Sequence, residues 1–155
     1  MSEHSMQIEW KRGDTSFDYQ SYTRDHAWII EGNRVCASAS PDFFGNPSCV
    51  DPEQAFVASL ASCHMLTFLA LASKKRFVVD TYKDNAVGVL GRNESRKPAV
   101  VSIELKPEVV FSGERIPNQE EFDALHDKAH DACFIANSIA SCVKVSVNAT
   151  LQTII

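Results

Sequence analysis

Polar and apolar positions follow three different rhythms along the chain. In residues 51–75, DPEQAFVASLASCHMLTFLALASKK, no charge falls between Ala55 and Ser73, and apolar side chains lie on every face. This stretch predicts one long helix. Asp51 suits the N-cap, Pro52 the first helical position, and Glu53 the positive end of the macrodipole. Lys74, Lys75 and Arg76 close it where cations are favoured. A helix without a polar stripe is expected to be buried all round. It is also about as long as a transmembrane span needs to be. Ala, Ser, His and Thr dilute its apolarity, however, and a span would split the remainder into two soluble pieces.

Before this helix the pattern is that of short strands. Residues 7–12 and 16–22 read as two strands about a turn at Gly13-Asp14. Residues 22–30 are half apolar and carry a polar knot, Arg24-Asp25-His26. A turn at Glu31-Gly32-Asn33 leads to a strand over 34–39, and residues 40–50 form a loop. After the helix, residues 77–90 and 100–111 predict two long antiparallel strands joined by the polar segment 91–98. Asn118 with Glu121 three residues later gives a capping-box start for a second helix. Phe122, Leu125, Ala129 and Ala132 form its apolar stripe. The apolar residues 133–136 continue as a bend or second short helix, and 143–151 closes as a strand. The expectation is an α+β fold with mainly antiparallel sheets, one domain over residues 1–155. A helix apolar on all faces needs covering on all faces, by the sheets and second helix or by a second copy of the chain.

At 155 residues the chain suits one domain with a fair-sized core. A net charge of −5 argues against nucleic acid as a partner. The opening MSEHSMQIEW lacks the pattern of a secretory signal, so a cytoplasmic location with reduced thiols is expected. Five cysteines are an odd number without zinc-ribbon spacing. Cys36, Cys49 and Cys142 read as packing residues. Glycine-rich phosphate loops and serine nucleophile elbows are absent from the sequence.

Two constellations could carry chemistry. Cys63 and Cys133 stand on the two predicted helices. A mid-helix Cys63 gains little from the macrodipole, so a reactive Cys63 needs another cation, for which Arg24 is the candidate and Glu53 its carboxylate. Each residue can equally be structural on these grounds. Glu53 and Cys63 lie ten positions apart, roughly 15 Å along one helix and about 80° around it. If Glu53 serves the thiol, it is expected to do so from a second subunit. The other constellation is His126, His130 and Cys133, at i, i+4 and i+7, a spacing usable for zinc or another transition metal, with His64 or Cys63 as a candidate to complete a tetrahedral site. His126-Asp127-Lys128-Ala129-His130 is not the zinc-protease pattern, since Asp replaces the basic Glu.

The residues DPEQ at 51–54, Ser62-Cys63-His64, and AHDACFIANS at 129–138 resemble the two cysteine motifs of the OsmC/Ohr family, the osmotically induced and organic-hydroperoxide-resistance proteins. Residues 22–26, YTRDH, resemble the segment that carries the family's arginine. The resemblance implies antiparallel sheets wrapped around two buried helices in an intertwined homodimer. It implies a thiol-dependent peroxidase acting on organic hydroperoxides, with Cys63 peroxidatic, Cys133 resolving, and Arg24 and Glu53 as their polar partners. No metal or other cofactor is implied, only an external dithiol reductant. The surroundings of Cys63 and Arg24 depart from the Ohr branch toward OsmC-like branches. The rival expectations are a metal-binding protein using His126, His130 and Cys133, and a non-catalytic dimer that binds an apolar ligand.

Overall fold

A computed structural model describes residues 2–153 and divides into two compact units, which meet in sequence between Ala55 and Phe56. In the first unit, β1 (Gln7–Glu9), β2 (His26–Ile30) and β3 (Asn33–Ala37) form an antiparallel sheet in that order. Trp28 faces Ile8 on one side and Val35 on the other. Residues 16–22, expected as a strand, are turns instead. Their aromatic residues fold onto one another: the Phe17 ring lies 6.0 Å from Trp10 and 5.3 Å from Tyr22. β1 pairs with β2 in their place.

The long helix forms as expected: α1 runs unbroken over Pro52–Lys74. Asp51 caps it reciprocally. Its carboxylate accepts the Gln54 N–H at 2.7 Å, and the Gln54 side chain accepts the Asp51 N–H at 3.1 Å. The helix is not buried all round. Only Leu60, His64, Phe68 and Ala72, four residues apart on one stripe, are fully enclosed. Ser62, Leu66 and Ala70 on another side are exposed.

In the second unit the two long strands expected after α1 exist, but each is broken in the middle. The first becomes β4 (Val78–Asp84) and β5 (Val87–Arg92); the second becomes β6 (Pro98–Leu105) and β7 (Pro107–Ser112). The expected last strand becomes β8 (Lys144–Val147) and β9 (Thr150–Thr153). All three breaks lie at one level, so the hairpin and its third strand divide into two sheets, β4-β7-β9 and β5-β6-β8. Pro107 starts β7 because it has no N–H for a ladder. At the break the Lys106 N–H donates to Asp84 at 2.7 Å, and the Asn148 N–H donates to the Leu105 carbonyl at 2.9 Å. The pairs β4·β7 and β5·β6 are antiparallel, whereas β6·β8 and β7·β9 are parallel. The parallel pairs follow from the crossover through α2 (Gln119–Ala132), since a parallel neighbour cannot be reached by a tight turn.

α2 opens on the expected capping box: the Asn118 side chain accepts the Glu121 N–H and the Glu121 carboxylate accepts the Asn118 N–H. Alternation on β7 points Pro107, Val109 and Phe111 inward. Val109 and Phe111 meet Phe68 and Ala72 of α1 and Phe122, Leu125 and Ala129 of α2 in one core. A second cluster joins Leu60, Ile103, Leu105 and Cys133, with Cys63 packed against it.

Candidate functional site

The second cluster is where the chemistry gathers. Cys63 sits on the half-buried flank of α1, one position before the fully buried His64. Cys133 is the residue at which α2 stops. Its backbone turns extended, with its N–H donating to the His130 carbonyl at 3.2 Å. A short 3-10 turn, Ala136–Ser138, follows. That turn is pinned by the Asn137 side chain on the Asp131 carbonyl (2.8 Å) and the Ser138 hydroxyl on the Phe134 carbonyl (2.7 Å). The Ala136 N–H in turn points at the Cys133 sulfur, 3.4 Å away.

The two thiols are neighbours and are unequal. Burial pushes the Cys63 thiol up, but hydrogen bonds from Cys133, from the N–H groups of Ile135 and Phe134 and from Thr67 outweigh it, so its pKa lies below the ordinary thiol value. Cys133 is fully buried. Burial first, and then its hydrogen bond to Cys63, hold its pKa above the ordinary value. The arrangement favours a thiolate on the more accessible sulfur and a thiol on the enclosed one, which is the division of labour between a nucleophile and a proton-bearing partner. The helix end supplies what a mid-helix cysteine lacks: backbone donors delivered from another element.

Arg24 and Glu53 belong to the first unit. The Arg24 guanidinium lies over the Tyr22 ring, 3.7 Å from its centroid, with Tyr19 and Phe44 at 5.4 and 5.3 Å. It donates to the Tyr22 carbonyl at 2.5 Å and to the Tyr19 carbonyl. Among the described residues the ion pairs are Arg34–Glu9, Lys106–Glu104 and Arg115–Glu121, so Arg24 and Glu53 are not joined in one. The polar knot is resolved residue by residue. Trp28 donates to His26 Nε2 at 3.0 Å, which leaves Nδ1 to donate to the Arg24 carbonyl at 2.8 Å. Asp25 accepts from the Asn46 side chain at 3.1 Å. A cavity of ≈ 470 Å³ lies beside this segment, lined by Trp10, Phe17, Tyr22, Arg24 and Pro52 among others.

His126 and His130 do not join Cys133. Cys133 faces Cys63, while His126 is buried against His64 of α1, with His64 Nε2 and His126 Nδ1 3.0 Å apart. Among the described residues no three His, Cys, Asp or Glu side chains converge to hold a metal ion. The sequence offers His64 or Cys63 as a further ligand to the metal candidates His126, His130 and Cys133; the structure does bring His64 to His126, but as a buried hydrogen-bonded pair and not as part of a ligand set. The signal for that burial was the place of His126 between Leu125 and Ala129 on the apolar stripe. Cys36 and Cys49, expected as packing residues, are joined in a disulfide. Their spacing of 13 matches no disulfide pattern; what brings them together is the return of the loop after β3. Cys142 is free and exposed.

Residues 45–148 match the family described as OsmC-like protein. A solved OsmC-like protein of unknown function from Vibrio cholerae O1 biovar eltor str. N16961 is 45% identical, with a TM-score of 0.90 over 97% of this chain and 100% of that chain. An organic hydroperoxide resistance protein OsmC from Legionella pneumophila is 16% identical, with a TM-score of 0.65 over 98% of this chain and 99% of its own. The organic hydroperoxide resistance protein OhrB of Bacillus subtilis is 15% identical, with a TM-score of 0.62 over 94% and 98%. At these lower identities the likeness is one of fold. No curated protein matches the chain. α1 is long and apolar enough to pass for a membrane span. Its place as the core helix of this fold accounts for the same composition.

Proposed function

The chain belongs to the OsmC-like protein family, and from that premise we propose that it is a thiol-dependent peroxidase that reduces organic hydroperoxides to alcohols. The observation that carries this reading is the contact of two unequal thiols: a half-exposed Cys63 poised toward thiolate against a buried Cys133 poised toward thiol. The Cys63 thiolate attacks the distal oxygen of ROOH. The O–O bond breaks, the alkoxide takes a proton and leaves as ROH, and Cys63 becomes a sulfenic acid. Cys133 attacks that sulfur, water leaves, and a Cys63–Cys133 disulfide forms. An external dithiol reduces it by exchange and closes the cycle. Every electron is carried by sulfur, so the cycle calls on no metal or organic cofactor.

Arg24 and Glu53 keep the roles that the family motifs suggest: Arg24 favours the thiolate and Glu53 orients Arg24. Arg stays charged when partly buried and can fork between two anions, whereas Lys cannot. The apolar lining beside Arg24 supports an organic substrate. The exposed side of α1 at Ser62, Leu66 and Ala70 supports a homodimer in which a second copy covers it. Because α1 is unbroken from Pro52 to Lys74, Glu53 cannot fold back to Cys63 of its own helix. On this reading Glu53 and Cys63 of one site come from different chains. The protein acts in the cytoplasm, where dithiol reductants are available.

The test is turnover. With tert-butyl hydroperoxide as substrate and a dithiol as reductant, the protein consumes peroxide over many cycles. Consumption no faster than in dithiol alone, with peroxide left intact, contradicts the reading and favours a non-catalytic dimer that binds an apolar ligand.

A further inference from the structure

Cys36 and Cys49 stand apart from the cycle just described, and nothing in it uses them. We propose that they form a second, independent dithiol–disulfide couple whose state sets the order of the segment leading into α1. Cys36 lies on β3 and is exposed; Cys49 lies half-buried in the loop that returns along it. The structure joins them by a disulfide, with Cα atoms 5.1 Å apart.

The backbone holds the two cysteines together independently of that bond. The Val50 N–H donates to the Cys36 carbonyl at 3.1 Å, and the Ser38 N–H donates to the Val50 carbonyl at 3.0 Å. Ala37 and Val50 form an isolated parallel bridge. The Asn46 N–H donates to the buried Ser38 hydroxyl at 3.0 Å. Gly45 is pressed against Ala39 so closely that a Cβ there would stand 1.6 Å from the Ala39 carbonyl oxygen. Reduced sulfurs therefore stay neighbours, and reclosing the bond is a preorganised intramolecular step.

Exposure of Cys36 gives an attacking thiolate its route. The thiolate of an external dithiol attacks the Cys36 sulfur; the Cys36–Cys49 bond breaks and Cys49 leaves as thiolate and takes a proton. The second thiol of the reagent then attacks its own sulfur in the mixed disulfide and releases Cys36 as a thiol. Two electrons and two protons pass to the protein, and the dithiol becomes a disulfide. The reverse reaction consumes an external disulfide.

The consequence falls on the residues that follow. Val50 leads straight into Asp51, whose reciprocal cap with Gln54 starts α1, and Glu53 lies inside that first turn. The covalent tie adds an anchor at Cys49, inside residues 46–54, between the Asn46 contact to Ser38 and the Asp51–Gln54 cap. Without it, the closed arrangement rests on those hydrogen bonds alone, so the segment opens and recloses more often while the closed state keeps the two sulfurs adjacent.

The test uses the full chain carrying Cys63→Ser and Cys133→Ser, so that this couple is the only dithiol pair. The protein is equilibrated with reduced and oxidised dithiothreitol in varying ratio. Thiols are trapped by differential alkylation and mapped by mass spectrometry, and amide hydrogen exchange is read in parallel. Cys36 and Cys49 are expected to convert together and reversibly. Residues 46–54 are expected to exchange severalfold faster in the reduced state, with 98–112 unchanged. Cys36→Ser reproduces the reduced pattern; should that variant fail to fold, the two states of the parent chain decide alone. Thiols that stay free in oxidised reagent, or a bond whose reduction leaves exchange at 46–54 unchanged, overturn the proposal.

Discussion

His64 Nε2 and His126 Nδ1 lie 3.0 Å apart between rings that are parallel within 5° and have centroids 5.3 Å apart. Those three values describe two imidazoles set edge to edge with an in-line N–H···N hydrogen bond. The pair bridges α1 and α2 inside the aromatic core: the Phe68 ring stacks on His126 at 4.3 Å and Phe122 meets it edge-on at 4.6 Å. Burial first, and the neighbouring imidazoles second, depress both pKa values, His64 to about 4 and His126 to about 3. Both rings are therefore neutral in the folded protein at neutral pH.

That pair makes the fold acid-sensitive. Unfolded, each histidine takes a proton near its ordinary value of about 6.5; folded, each resists until the pH approaches 4 or 3. Below pH 6.5 the unfolded state binds more protons, so stability falls as the pH falls and is fully present only above that value. Each proton so taken up costs about 1.4 kcal/mol per pH unit. Urea unfolding at a series of pH values between 7 and 4.5 measures this slope. His126→Phe is expected to flatten it by about one proton, the sign of a single titrating partner removed.

The unequal thiols predict unequal variants. Cys63→Ser is expected to lower peroxide turnover by roughly 10⁴-fold, the scale on which the loss of a nucleophile is felt. Cys133→Ser is expected to react once and then, without a resolving thiol, to advance to the sulfinic acid as peroxide is added. Stopped-flow consumption of peroxide and the intact mass of the product distinguish the two.

Much of this was legible in the sequence, and the parts that were not have physical reasons. The long helix and the capping box of α2 announce themselves through Asp51, Pro52, Asn118 and Glu121, because caps are local chemistry. The breaks that divide each long strand between two sheets do not, because each is marked only by an isolated breaker, Asn85, Pro107 or Asn148, inside an otherwise continuous strand pattern. Residues 16–22 looked like a strand through their spaced aromatics, yet those rings serve a cluster with Trp10. Cys63 and Cys133 stand out in the sequence as thiols on two predicted helices and again through the motifs of the family they resemble. Beside Cys133, the donors that favour the Cys63 thiolate include the backbone N–H groups of Ile135 and Phe134, to which a residue list is blind.

Activation by Arg24 is open to a direct check. Arg24→Ala is expected to raise the pH midpoint for alkylation of Cys63 and to slow its reaction with peroxide by roughly 10²-fold, the usual effect of losing one preorganised donor. Arg24→Lys is expected to recover only part of the loss, since a point charge cannot fork. An unchanged alkylation midpoint in Arg24→Ala leaves Cys133, the backbone N–H groups of Ile135 and Phe134, and Thr67 as the activators.

The proposed crossed-chain arrangement of Glu53 and Cys63 predicts complementation. Chains carrying Cys63→Ser and chains carrying Glu53→Ala are mixed, unfolded and refolded together. A mixed dimer then holds one intact site, and about half of the wild-type activity per mixed dimer is expected. Mixed dimers, verified by mass, without recovered activity place both residues of a site in one chain.

The most direct test of the thiol cycle is the mass of the protein before and after one equivalent of an organic hydroperoxide, followed by peptide mapping without reductant. The starting material is treated to keep Cys36 and Cys49 joined and Cys63 and Cys133 reduced. The predicted result is the loss of two hydrogens, located in a peptide pair that links Cys63 to Cys133. Unchanged mass with the peroxide intact, or oxidation confined to other residues, contradicts the account.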